Sequence, residues 1–196
     1  MTESALWSHD SPEWYTPSAF VEAARAVMGG IDVDPASHKE ANRTVRAMLY
    51  YDETHNGLTK SWFGRVFLNP PGGLVNEFWR VLMKQRASIA QAIWIGYSFE
   101  QLQTLQIVSP GMTPLDWSMC VPRKRLAFVE NEAKQAARWA KIDEYNAASA
   151  AMGAKLRPRT VAASPSHGNY ISYIGGGERH EAFAAEFGKF GQVVLR

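Results

Sequence analysis

This chain of 196 residues is almost without cysteine, with Cys120 alone. A single thiol excludes an intrachain disulfide and any metal site built on paired cysteines. It sits more simply with an intracellular protein than with a secreted one. No apolar run reaches the roughly 18 residues that a membrane-spanning helix needs, so no membrane partner is expected. The first twelve residues are polar and hold no apolar core, so no secretory leader is expected there. His9, His38, His55, His167 and His180 are scattered without metal-ligand spacing, so no metal is expected. Internal repeats and low-complexity tracts are missing too. So is an excess of one charge, since 21 Lys/Arg face 19 Asp/Glu for a net +2.

What is present fits one domain. The hydrophobic fraction is 46%, ordinary for a globular chain, and seven Trp, seven Tyr and nine Phe leave aromatics to spare for binding surfaces. Charge is unevenly spread. Residues 1–100 hold nine Lys/Arg against eleven Asp/Glu, whereas 123–159 hold nine against four. That basic segment suits either a solvated helix face or a nucleic-acid-facing patch.

Apolar segments alternate in period along the chain. Thr16-Pro17 predicts a capped helix start, and Gly29-Gly30 its end. Ile31–Asp34 alternates apolar and acidic residues before Pro35 stops it, which predicts a strand. Ser37 and Glu40 have capping-box spacing for a helix over 40–48. Further strands are expected at 47–52, 66–68, 91–97, 117–121, 170–174 and 192–195. Further helices are expected at 74–86, 99–108, 131–152 and 178–190. This alternation predicts a three-layer α/β sheet, largely parallel. Residues 13–196 read as the domain, 1–12 as a flexible N-terminus and 130–165 as a helical and loop insertion.

The stretch Arg65–Gly73 is the most informative. Val66-Phe67-Leu68 runs into Asn69-Pro70-Pro71, and two prolines in succession end a strand. Asn69 is thereby expected at a strand's carboxyl end, where open α/β sheets bind ligands. A side-chain acceptor beside a proline carbonyl suits the gripping of a planar exocyclic amine. Asp34 and Asp52, at two other strand ends, can accept hydrogen bonds from a ribose or an ammonium group. Each also has a plainer use, as a helix cap and as a loop acid. Arg123, Lys124 and Arg125, at a further strand end, are candidates for phosphate contact.

Taken in order, Trp14-Tyr15-Thr16-Pro17, Ile31-Asp32-Val33-Asp34-Pro35-Ala36-Ser37, Asn56-Gly57-Leu58, Trp62-Phe63-Gly64 and Asn69-Pro70-Pro71 form a series. It resembles the phage-type DNA N-6-adenine methyltransferases, small S-adenosylmethionine-dependent enzymes. The match covers about residues 13–100. Tyr173-Ile174-Gly175 with Phe183 and Phe187-Gly188 is similar to the family's last strand and helix. The resemblance implies a single-domain, Rossmann-like methyltransferase fold. It implies a cytoplasmic protein of a bacterial host, phage or prophage encoded, acting on double-stranded DNA. Asn69, Pro70 and Pro71 would form the catalytic turn, with Asn69 and the Pro70 carbonyl accepting from the adenine amino group. Asp32, Asp34, Pro35 and Ala36 would hold the methionine part of S-adenosylmethionine. Tyr15, Thr16 and Pro17 would cover it, Asn69 would border it and Asp52 would take its ribose.

Two positions depart from the pattern of such enzymes. Asp34–Ser37 has no glycine-rich cofactor loop. Where an aromatic normally follows Asn-Pro-Pro to stack on the extruded base, this chain has Gly72. Such a stack is worth about 1–3 kcal/mol. Either Phe63, Trp79, Tyr97 or Phe99 supplies it near Gly72, or the target is another amine (cytosine N4, an RNA base, glutamine), or the chain binds DNA without catalysis.

Overall fold

The computed structural model describes residues 14–130, 132–159, 162–163 and 168–196. The expected flexible segment 1–12, His9 and His167 lie outside them. In chain order the elements are β1 (Trp14–Tyr15), α1 (Ser18–Met28), β2 (Val33–Asp34), α2 (Ala41–Val45), β3 (Leu49–Tyr50), β4 (Gly64–Leu68), α3 (Val75–Lys84) and β5 (Ile89–Gly96). There follow α4 (Phe99–Val108), β6 (Ser118–Pro122), β7 (Phe128–Glu130), α5 (Glu132–Ala150), β8 (Ala162–Ala163), β9 (Tyr170–Ile174), α6 (Arg179–Phe187) and β10 (Gly191–Val194).

Seven strands form the main sheet in the order β10-β6-β9-β5-β4-β2-β3. Successive side chains of a strand point to opposite faces, and both faces here are apolar. Phe67, Ile93, Ile95 and Ile171 face one way, onto Val21, Ala24 and Val27 of α1 and Phe183 and Phe187 of α6. Val66, Leu68, Ala92 and Trp94 face the other way, onto Phe78, Trp79 and Leu82 of α3 and Leu102 and Leu105 of α4. The protein is therefore a three-layer α/β structure, with helices on both faces of one sheet.

The sheet is mixed, which corrects the expectation of a largely parallel one. β3, β2, β4 and β5 run parallel. β9 pairs antiparallel with both β5 and β6, and β10 antiparallel with β6. The cause lies in the connection from β6 to β9. β6 ends at the same edge as β4 and β5, which we call the upper edge. The chain then builds β7, α5 and β8 without crossing back beneath the sheet. It re-enters from that edge, so β9 runs downward. β7 is the centre of a second, three-stranded antiparallel sheet, β1-β7-β8.

Local boundaries differ in ways the backbone explains. α1 begins at Ser18 with Pro17 as its cap, and the Thr16 hydroxyl makes no cap bond. The Ser37–Glu40 capping box does not form, and α2 is only five residues long. Arg46 stops it in the left-handed conformation, at φ 50°.

Candidate functional site

Parallel β2 and β4 are neighbours, with Val33 opposite Val66, so Asp34 and Asn69 both stand at the upper edge. The Asp34–Ser37 turn is braced from below. The Ser37 N–H donates to the Tyr51 carbonyl at 2.8 Å, and the Ala36 N–H to Asp34 Oδ1 at 3.2 Å. Gly57 fits against Pro35 so closely that a Cβ there would lie 1.9 Å from the Pro35 carbonyl oxygen. Its own carbonyl accepts from Trp62 Nε1 at 2.9 Å. The fragments Asn56-Gly57-Leu58 and Trp62-Phe63-Gly64 thus acquire a physical role: they set the height of the Asp34 turn.

That bracing encloses the carboxyl, and Asp34 is 3% exposed. Burial pushes it up from the ordinary 3.8 to about 7, against the opposing pull of the Ser37 side chain and the Ala36 N–H. The buried Ser37 hydroxyl is not in hydrogen-bond geometry with any described group. A dry carboxyl with the Ser37 hydroxyl beside it is a receptor for a cation or for N–H and O–H donors, since a positive partner restores its charged form.

Asn69 follows directly after β4. Its Nδ2 donates to the carbonyl of Trp14 in β1 at 3.2 Å. With the nitrogen so engaged, the amide has its Oδ1 to spare, and Oδ1 accepts no hydrogen bond among the described residues. The Pro70 carbonyl accepts none either, whereas that of Pro71 is taken by the Leu74 N–H at 2.9 Å. Two free acceptors therefore sit on consecutive residues. Beyond them, Tyr97 follows β5, and its hydroxyl donates to the Gly72 carbonyl at 3.4 Å. A Cβ added at Gly72 would touch only the Tyr97 ring, at 3.8 Å. Of the four aromatics expected near Gly72, Tyr97 is the one in contact with it, and it is 37% exposed. Trp79 is sealed in the core. Phe99 stacks on Tyr170, at 6.0 Å between centroids. Phe63 precedes β4 and so belongs to the opposite, lower edge, away from Asn69.

The remaining predicted residues divide in the same way. Asp32 does not join Asp34. Arg65 donates to its carboxylate from Nε at 2.9 Å, from Nη2 at 2.5 Å and from the backbone N–H at 2.8 Å. Those Arg65 hydrogen bonds hold it below the ordinary carboxylate value and make it a clamp between β2 and β4. Asp52 is turned inward on its own loop. Burial opposes its charge, yet bonds from Thr54 and His55 prevail and hold it at about 2. Tyr15 stands in β1 next to Trp14, its hydroxyl donating to Glu40 at 3.1 Å, with Thr16 buried and Pro17 capping α1 behind it. Arg123, Lys124 and Arg125 leave the upper end of β6, exposed, about 14 Å from β4 across the intervening strands. The Arg123 N–H donates to the Phe190 carbonyl at 2.9 Å, and its guanidinium to that of Lys189 at 3.2 Å.

Two features of this edge escaped the sequence. Trp14 acts through its backbone carbonyl, which no side-chain pattern reports. Gln101 is a buried amide whose Nε2 has no partner among the described residues. Its only signal is a polar residue on the inward stripe of α4, beside Leu102 and Leu105.

Comparison with protein-family models, curated proteins and solved structures finds no match to this chain. Among the described residues no cluster of His, Cys, Asp and Glu could hold a metal ion. Among the same residues no helix is long and apolar enough to cross a membrane.

Proposed function

We propose that this protein is an S-adenosylmethionine-dependent methyltransferase that modifies the exocyclic amino group of adenine in DNA, on a Rossmann-like sheet. The observation that carries the proposal is the pair of free acceptors, Asn69 Oδ1 and the Pro70 carbonyl, with the amide oriented by the Trp14 carbonyl. An exocyclic amine has two N–H groups, and two acceptors on one turn can receive both. Accepting them keeps the nitrogen's lone pair out of conjugation and directs it out of the amine plane. No strong base is required, so positioning supplies most of the rate.

S-adenosylmethionine, when bound, supplies an electrophilic methyl group and departs as a neutral thioether. Asp34 suits its cationic, donor-rich end. The carboxyl is dry, braced and one strand away from Asn69, and the buried Ser37 hydroxyl beside it adds a second polar group. The Tyr97 ring, against Gly72, offers a face for a base drawn out of the duplex. Arg123, Lys124 and Arg125 stand at the same edge for the phosphate backbone.

The test is direct. Tritiated S-adenosylmethionine is incubated with the protein and duplex DNA, and the DNA is digested to nucleosides for mass spectrometry. N6-methyladenine is expected, and it is expected to disappear with Asn69→Ala. Calorimetry that detects no S-adenosylmethionine binding would end the methyltransferase proposal. Label appearing on cytosine, RNA or protein instead would keep the amine grip and move it to another substrate.

A further inference from the structure

Beyond Pro71, the backbone of Gly72 and Gly73 borders a cavity of about 90 Å³, with Asn76, Tyr97, Gln101 and Thr104 around it. Gln101 is 6% exposed. Its Oε1 accepts from the Tyr170 hydroxyl at 2.9 Å, and that hydroxyl accepts from Trp94 Nε1 at 3.3 Å. Burial raises the Tyr170 pKa and keeps the phenol protonated, so it acts as the donor. The ring reaches Gln101 because Gly96 has no side chain; a Cβ there would lie 2.0 Å from the Tyr170 ring. This network fixes the oxygen end of the amide. It leaves Nε2, buried and without a partner among the described residues, as the unsatisfied end of an amide that lines the cavity.

A buried amide nitrogen without an acceptor is costly, and native proteins keep few of them. Here the rigid network on the oxygen side prevents the amide from turning to find a partner. A ligand acceptor would satisfy it. The cavity begins at Gly72, two residues past the acceptor pair at Asn69 and Pro70, and Tyr97 forms part of its wall. An amine gripped at the turn therefore brings the atoms beside it toward Gln101. In adenine those flanking atoms are ring nitrogens, N1 on one side and N7 on the other, and both are acceptors.

We propose that Gln101 recognises the target base by donating a hydrogen bond from Nε2 to the ring nitrogen flanking the gripped amine, while Tyr97 lies against the base's face. This rests on the amino-methyltransferase function proposed above. Together the turn and Gln101 read a pattern, donor amine next to acceptor nitrogen, rather than an amine alone. A site built to pair with a ligand atom rejects an analogue that lacks it.

The experiment uses mixed-sequence duplexes synthesised with adenine, 1-deazaadenine or 7-deazaadenine, and methyl transfer is measured on each. The wild-type protein is expected to methylate one of the two analogues about 10- to 100-fold more slowly than adenine. Gln101→Leu is expected to slow adenine to that same rate and to treat the two alike. Gln101→Glu retains an oxygen for Tyr170 and removes the amide donor, and the same loss is expected. Should Gln101→Leu not fold, the wild-type comparison of the three duplexes still decides. Equal rates on all three duplexes, or discrimination that survives in both variants, would overturn the role of Gln101 and leave the methyltransferase intact. Absence of transfer to any duplex would remove both proposals together.

Discussion

The two edges of the sheet make an instructive contrast. At the lower edge a cavity of about 340 Å³ is bordered by Trp117, Tyr173, His180 and Arg196, among others. It is far larger than the one beside Gly72, yet its polar groups are paired with one another. Ser118 Oγ lies 2.6 Å from His180 Nδ1, and His180 Nε2 lies 3.3 Å from the Gly175 carbonyl. Asp116 receives the Arg196 guanidinium at 2.7 Å and the Thr113 N–H at 2.8 Å. The Thr113 bond and Arg196 hold its carboxyl below the ordinary range. At the upper edge the opposite holds. Asn69 Oδ1, the Pro70 carbonyl and Gln101 Nε2 lack partners among the described residues, and the Asp34 carboxyl is pushed upward. Unsatisfied polar groups beside a cavity mark a site better than volume does; Trp79 Nε1, also without a partner among the described residues, is sealed in the core and borders neither cavity.

The sharpest way to break this contrast is to mutate each edge and compare the consequences. Asn69→Ala is expected to reduce methyl transfer by about 100-fold or more, with stability changed by less than about 1 kcal/mol. Single-turnover rates and a denaturant melt measure the two effects. His180→Ala, at the lower edge, should do the reverse. It leaves the Ser118 hydroxyl short of a partner and is expected to cost about 1–2 kcal/mol, with transfer rates unchanged.

Asp34 allows the same contrast to be tested by pH. Its folded value of about 7 stands above the ordinary 3.8, so between these limits the folded protein keeps a proton that the unfolded chain releases. Its contribution to stability is therefore greatest at low pH and falls as pH rises toward 7. Asp34→Asn abolishes that loss. The variant is expected to be more stable than the wild type at pH 8, by up to a few kcal/mol, with the advantage gone by pH 4. It is expected at the same time to bind S-adenosylmethionine at least about tenfold more weakly, by calorimetry. A group that weakens the fold while serving a ligand belongs to a site; one whose removal changes neither does not.

The smallest expected effect concerns the basic triad. Arg123→Ala with Lys124→Ala should weaken DNA binding several-fold and lower the slope of log affinity against log salt by about two. An unchanged slope would remove these residues from the interface.

Much of the three-layer architecture could be read from the chain, because a period of two in the strands and an apolar stripe in the helices state which faces are buried. Tyr170–Ile174 was expected as a strand and is one. Its antiparallel direction was not foreseen, since a run buried on both faces has the same pattern in either direction. The Asn69 turn was legible because two prolines leave few conformations open. The engagement of Asp32 is hidden in the sequence for an equally physical reason. Asp32 and Asp34 look alike in sequence, and what separates them is Arg65, thirty-three residues away, donating to one and not the other. Gln101 and Trp14 depend on an unpaired amide and a backbone carbonyl, which become visible only when distant segments meet.

Those distant segments also set an order of assembly. The carbonyl that orients Asn69 belongs to β1, and β1 is held by pairing with β7, more than a hundred residues further along the chain. β2 to β5, by contrast, are joined by short connections and can collapse on α1, α3 and α4 through largely local contacts. Loop-closure entropy favours that half first and the β1–β7 pairing late. The acceptor turn thus exists in outline early in folding and acquires its fixed amide only at the end. Under the proposed function, competence for methyl transfer is then a late event in the life of each newly made chain.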